Sequence, residues 1–215
     1  MVQSEDPTAA GPPDMNSESL RPSDDEIVRQ VLDGNVNAFE SLLKRHSVQV
    51  LKIVQRHVPH EDVEDTAQET FVRAYRSLAT FRGKSDFSRW LSAIAVRSCY
   101  DYWRKAYKSK EVPISTLTEK HQDWMEAALS GASERSHDEE DVQEEAKELL
   151  NWALAQLSAE ERMVIELVYL EGLSVKEAAG LLGWSMANVK VRSFRSRRKL
   201  EKVLRREAAG GRRGV

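Results

Sequence analysis

The segment LSVKEAAGLLGWSMANVKVRSFRSRRKL, residues 173–200, decides the architecture of this 215-residue chain. A short helix beginning at Val175 is stopped at Gly183, and Ser185 caps a new helix almost at once. Two helices that cross steeply need a small residue on the first, here Ala179. They also need a residue that accepts positive φ at the turn, Gly183, and a buried anchor on the second helix, Val189. These are the intervals of a helix-turn-helix. On a wheel of about 100° per residue, Val189, Ser193, Ser196 and Leu200 point inward. Ala187, Lys190, Val191, Phe194, Arg195 and Arg198 point outward. Lysine and arginine on that side can neutralise phosphates and bond guanine edges, and Phe194 and Val191 can meet thymine methyls. The plainer alternative is a helical hairpin with a solvated basic face; the density of cations around an outward phenylalanine favours DNA.

The net charge of −3 conceals a segregation that permits such a partner. From Lys190 to Arg206 nine basic residues face the single acid Glu201, whereas from Glu134 to Glu148 eight carboxylates face only Arg135 and Lys147. Local fields, not the sum, decide what a patch attracts. With 40% apolar and 31% charged residues, the composition suits helices with wide polar faces. No stretch approaches the ~18 consecutive apolar residues of a membrane span, and residues 1–22 have neither the basic start nor the apolar run of a secretory signal. A lone cysteine, Cys99, forms no internal disulfide. A cytoplasmic protein without direct membrane insertion is expected.

Working back toward the N-terminus, Ser158 with Glu161 and Ser174 with Glu177 mark two further helix starts, and Gly172 and Gly183 mark stops. Residues 141–206 therefore read as an all-α domain, followed by a disordered tail over 207–215. Residues 109–140, rich in Ser, Thr, Gly and Pro, read as a flexible linker. Before it, Ser23 with Glu26 opens a helix carrying Ile27, Val28, Val31 and Leu32. Asn37 and Glu40 can start a second, broken by Pro59. A third covers roughly 61–78 and a fourth roughly 88–108. Residues 23–108 form a first all-α domain behind a disordered leader, 1–22. The fold class is all-α: two small helical domains, the second with the helix-turn-helix.

Two helices of the first domain carry opposite chemistry. In EDVEDTAQETFVRAYRSL, residues 61–78, Val63, Ala67, Phe71, Ala74 and Leu78 line one face, while Asp62, Asp65, Gln68, Glu69 and Arg73 lie away from it. That polar side is either a solvated face or a docking surface for a basic partner. In FSRWLSAIAVRSCYDYWRKAYK, residues 87–108, Tyr100, Trp103 and Tyr107 make one stripe with Arg97 and Arg104 alongside. Aromatic faces beside guanidinium groups suit unstacked bases. The rings can equally fill the core, and both uses are expected, with Trp90, Leu91, Ile94 and Ala95 inward. The preceding loop, Thr80 to Phe87 with Arg82, Gly83 and Lys84, lies where a flipped base could be held.

In this order these elements resemble the extracytoplasmic-function (ECF) sigma factors of bacterial RNA polymerase. The stretch EDVEDTAQETFVRAYRSLATFRGKSDFSRWLSAIAVRSCYDYWRK is similar to that family's region 2, and LSAEERMVIELVYLEGLSVKEAAGLLGWSMANVKVRSFRSRRKL to its region 4. The resemblance implies that Asp62, Asp65, Gln68 and Glu69 dock on core RNA polymerase at the β′ clamp coiled coil, with the β flap a second polymerase contact. It implies that Arg82, Lys84, Phe87, Ile94, Arg97, Tyr100 and Arg104 read and open the −10 element. It assigns the −35 element to Ser185, Asn188, Lys190, Val191, Phe194, Arg195 and Arg198. An anti-sigma factor is a further implied partner, and no cofactor or metal is. Arg97 stands where Asn is common, and Trp184–Ser185–Met186–Ala187–Asn188 replaces the usual Gly-Thr turn; both bear on promoter sequence rather than on function.

Two rivals are of other kinds. A helix-turn-helix regulator acting without polymerase would need a ligand cavity in residues 23–108, and the polar Asp62–Glu69 face speaks against it. An enzyme would need a site, and His46, His57, His60, His121 and His137 make no metal spacing, nor is there a phosphate loop or nucleophile elbow. No catalytic residue is expected.

Overall fold

The structure, a computed structural model, describes residues 22–83, 85–109 and 139–210. Helix α1 spans Asp24–Leu32, and its Ser23–Glu26 capping box is formed as the sequence predicts. A 3-10 turn, Val36–Ala38, leads into α2, Phe39–His57, so Asn37 lies within that turn and α2 starts without a side-chain cap. Helix α3, Val63–Ser77, lies between the 3-10 turns His60–Asp62 and Leu78–Thr80, and α4 runs through Phe87–Ser109. The apolar faces of these helices close onto one another: Leu42, Val50 and Val54 of α2, Val63, Ala67 and Ala74 of α3 and Leu91, Ala95 and Cys99 of α4 are all buried.

The second domain comprises α5, Glu139–Ala155, α6, Ala159–Ile165, a π-helical turn, Glu166–Leu170, α7, Val175–Leu182, and α8, Met186–Gly210. Capping boxes at Ser158 and Ser174 start α6 and α7, and the Ser185 hydroxyl accepts the Asn188 backbone N–H at the head of α8. Gly172 and Gly183 both take left-handed φ, 69° and 72°. Leu149, Trp152 and Ala153 of α5 are buried against Leu200, Val203 and Leu204, which holds the far half of α8 against the domain. That support carries the helix through Glu207 to Gly210, past the boundary expected for the tail. The expected leader, residues 1–21, and most of the expected linker, 110–138, lie outside the described residues.

The two domains share one core. Trp103, Cys99 and Val96 of α4 belong to the same buried cluster as Met163, Val164 and Leu167, and as Ala178, Ala179, Leu182 and Val189. Helix α4 is therefore the common wall, with α2 and α3 on one side and α6 and α7 on the other.

Gly183 is the tightest point of this arrangement. Its N–H and that of Trp184 both donate to the Ala179 carbonyl, closing α7. A Cβ on Gly183 would sit 2.9 Å from the Arg97 guanidinium. Gly183→Ala is expected to cost about 1–2 kcal/mol from left-handed backbone alone, plus displacement of Arg97. Urea unfolding of the two proteins measures it.

Candidate nucleic-acid interface

The second helix of the helix-turn-helix is oriented as its sequence requires. Val189, Ser193 and Ser196 are buried and Leu200 is half-buried, whereas Lys190, Val191, Phe194, Arg195 and Arg198 are exposed. Phe194 keeps 61% of its surface in solvent and Val191 48%, with the Arg198 guanidinium 5.8 Å from the Phe194 ring centroid. An apolar ring held in water by cations on a helix three turns long or more makes no contribution to the core, so it is available to a partner. Asn188 is tied up instead: its Oδ1 accepts from Arg192 Nε at 2.8 Å, and that guanidinium lies 5.2 Å over Trp184. Ser185 serves as the helix cap. The outward stripe continues as Lys202 and Arg205, which with Arg198, Lys199 and Arg206 line an open basic groove around Glu201.

Helix α4 behaves differently. Phe87, expected among the base-reading residues, is buried, packed against Phe81, Trp90 and His46. It is a core anchor that positions the loop before α4, because an aromatic side chain at the start of that helix has the first domain's interior directly beneath it. Ile94 is half-buried on the same core. Arg82 is exposed, and Lys84 lies outside the described residues.

The stripe Tyr100–Trp103–Tyr107 faces the second domain, which helps bury Trp103 and leaves Tyr100 and Tyr107 half-buried. Trp103 is buried, donates its indole N–H to the His57 carbonyl at 2.6 Å, and carries the Arg162 guanidinium 3.6 Å above its ring. Tyr100 donates to Glu160 Oε1 at 3.0 Å and meets Trp184 edge-on, and Tyr107 donates to the Leu154 carbonyl. Arg97 Nε donates to the Leu181 carbonyl at 3.1 Å. That carbonyl is one of the last four of α7, which have no partner within their helix, so the contact is well matched. Arg104, exposed and paired with Asp101, lies 5.9 Å over Tyr100 at the rim.

Beside this interface sits a charge cluster whose members lie too far apart along the chain for any periodicity to join them. His57 at the end of α2 contacts Glu166 through Nδ1 at 2.7 Å and Glu171 through Nε2 at 3.0 Å. Glu166 also accepts from Arg162 Nε at 2.7 Å. Burial alone would lower the His57 pKa, but the hydrogen bonds and charges of the two carboxylates outweigh it and raise it from 6.5 to about 9. Burial next to the same carboxylates pushes the Cys99 thiol well above its ordinary range.

The acidic surface of α3 is only partly free. Asp65 and Gln68 are exposed. Asp62 is half-buried and accepts the Tyr102 hydroxyl at 2.7 Å, which with burial raises that phenol's pKa. Glu69 pairs with Arg73, whose guanidinium also reaches Asp101 of α4, and this hydrogen bond lowers the Glu69 pKa.

An all-α fold with an exposed basic recognition helix and a covered aromatic-basic helix defines a DNA-binding transcription protein built around a helix-turn-helix. Residues 42–109 match the family model "Sigma-70 region 2", and residues 148–200 match "Sigma-70, region 4". The ECF RNA polymerase sigma-E factor of Escherichia coli strain K12 is 32% identical over 181 residues, covering 83% of this chain and 93% of that one. The RNA polymerase sigma-H factor of Pseudomonas aeruginosa is 28% identical over 182 residues, covering 84% and 93%. Among solved structures, CnrH in complex with the cytosolic domain of CnrY is 28% identical with a TM-score of 0.47, covering 83% and 94%. The chain belongs to the ECF sigma factors of the sigma-70 family. Its function is that of an RNA polymerase sigma factor, which directs the polymerase to specific promoters for initiation. No described helix is long and apolar enough to cross a membrane.

Proposed function

We propose that promoter recognition in this chain is divided between the outward stripe of α8, which reads duplex at the −35 element, and α4 with its preceding loop, which reads and opens the −10 element. The observation that carries the reading is the separation on α8 of buried Val189, Ser193 and Ser196 from exposed Lys190, Val191, Phe194, Arg195 and Arg198. Arg195 and Lys190 reach base edges or phosphates, Phe194 and Val191 meet thymine methyls, and Ser185 and Asn188 orient the helix end. On the first domain Arg82, Arg97, Tyr100 and Arg104 are the groups for the −10 strand, while Phe87 and Ile94 support them from the core side. The chain works without catalytic chemistry, in the cytoplasm, with core polymerase and promoter DNA as partners. An anti-sigma factor is the regulatory partner that the family resemblance implies.

Core docking is assigned to Asp65 and Gln68, the members of the acidic set that make no fold contact in the structure. Asp62 and Glu69 flank them; Asp62 accepts from Tyr102 of α4, and Glu69 pairs with Arg73, which reaches Asp101 of α4. Asp65→Arg with Gln68→Arg is expected to leave the melting temperature nearly unchanged, since exposed substitutions stay within about 0.5 kcal/mol. Affinity for core polymerase is expected to fall more than tenfold, because like charges across an interface cost several kcal/mol. Glu69→Arg is expected to lower stability as well. Calorimetry and co-elution with core polymerase separate the two effects; undiminished core affinity in the double variant contradicts the assignment.

Arg195→Ala is expected to cost about 1–3 kcal/mol and to relax preference at one base pair, as for a bidentate base contact. Arg205→Ala, farther along the same stripe, is expected to weaken binding evenly across sequences. Selection on randomised −35 duplexes distinguishes these, and equal sequence-blind losses would reduce Arg195 to a phosphate contact.

A further inference from the structure

His57 is a titratable group that neither promoter reading nor core docking uses. It ends α2 of the first domain, yet both its ring nitrogens are engaged by carboxylates of the second domain, Glu166 at 2.7 Å and Glu171 at 3.0 Å. An imidazole can donate from both nitrogens only when protonated. The groups facing this site are few and can be named by element. From the second domain come Glu166, Glu171 and Arg162; from α4 come the Trp103 indole, bonded to the His57 carbonyl, the Cys99 thiol, and the Tyr107 hydroxyl beside Arg162 and Glu166; from α2 itself comes Arg56, near Glu171. With His57 protonated, Arg162 and His57 balance Glu166 and Glu171. With His57 neutral, the half-buried Glu171 keeps only the neighbouring Arg56 as a counter-charge, and one of the two bonds across the domain boundary has no donor.

Beside this cluster, the second domain buries Trp103 of α4, partly covers Tyr100 and engages the exposed Arg97 through the Leu181 carbonyl. We propose that His57 is a proton-dependent latch, closed when protonated between Glu166 and Glu171, which holds the second domain over the strand-reading face of α4. Releasing the proton frees that face without disturbing the outward side of α8. The consequence for promoter access rests on the assignment of α4 given above; the latch itself does not.

The sign of the effect follows from linkage. The pKa of His57 is raised from 6.5 to about 9 in the closed arrangement. Closure is therefore fully supported below about 6.5, weakens as pH rises, and loses the contribution of His57 above about 9. Between these limits the closed-to-open ratio falls about tenfold per pH unit, one proton being released on opening.

The full-length chain labelled at Lys52→Cys on α2 and Lys176→Cys on α7, both exposed positions, reports the distance between domains by single-molecule energy transfer. Cys99, buried in the cluster shared by the two domains, is replaced by Ala in every labelled protein so that opening exposes no third thiol. The expected result is a closed-to-open ratio that falls steeply between pH 6.5 and 9 in the parent protein. In His57→Gln it is expected to be lower and flat across that range, with helicity by circular dichroism unchanged. Should His57→Gln fold poorly, Glu171→Gln at the more exposed arm is expected to move the transition to lower pH. A parent ratio that does not change from pH 6 to 9.5, a slope retained in His57→Gln, or a parental midpoint in Glu171→Gln overturns the latch. These distances are read without DNA. The assignment of α4 fails separately if an opened His57→Gln protein gains no affinity for single-stranded −10 DNA.

Discussion

Trp103 is the residue on which both halves of the molecule rest. Its ring lies under the Arg162 guanidinium and its N–H holds the carbonyl that ends α2, so one side chain fixes the first domain internally and the second domain against it. A desolvated cation–π contact contributes about 2 kcal/mol. Arg162 cannot be regarded alone, however, because its other contact is Glu166, and Glu166 also meets His57. Removing one member of such a buried charge set typically costs about 3–5 kcal/mol, most of it from stranding the others. The domain boundary thus combines a shared apolar cluster with a buried charge set in which His57 is the titratable member.

This constraint has a functional corollary. Helix α4 offers a single face for two uses: its own second domain now occupies the side where Arg97 and Tyr100 project, and the same side is the one proposed to read the opened strand. The outward stripe of α8 is under no such restriction, since Val191, Phe194 and Arg195 point into solvent. The two readers are therefore unequal in the isolated protein. In the proposed division of labour, the outward stripe of α8 is open to duplex DNA as it stands, while Tyr100 and Trp103 of α4 lie against the second domain. Family membership supplies the partner against which such a difference makes sense, because a sigma factor works on the polymerase and not alone.

The parts of the fold that were legible in the sequence are those written locally. The three Ser–Glu capping boxes and the left-handed glycines at 172 and 183 are signals within four residues of their effects. The inward and outward sides of α8 follow from a period of 3.6, and the burial of Val189, Ser193 and Ser196 agrees with it. What sequence reading missed depends on distant pairs. His57 and Glu166 are 109 positions apart, and Arg97 and Leu181 are 84 apart, so no periodicity joins them. Tyr100, Trp103 and Tyr107 were correctly placed on one stripe, but what covers a stripe is a tertiary matter. The burial of Phe87 has a related origin: an aromatic where a loop enters a helix can point either way, and the positions of Phe81 and Trp90 enclose it. Asp62 looks free on a helical wheel, which omits Tyr102 of another helix as its partner, whereas the Glu69–Arg73 pair is an i,i+4 contact that the wheel does show.

The most direct measurement of the central claim compares what the chain selects from a library of randomised promoter fragments with and without core polymerase. With core polymerase the account predicts enrichment of two separated sequence blocks, the downstream one contacted by α4. For the chain alone it predicts enrichment of the upstream block only, because α8 is exposed while α4 is covered. Selection of both blocks by the isolated chain, or of a palindrome with no gain from core polymerase, would contradict it.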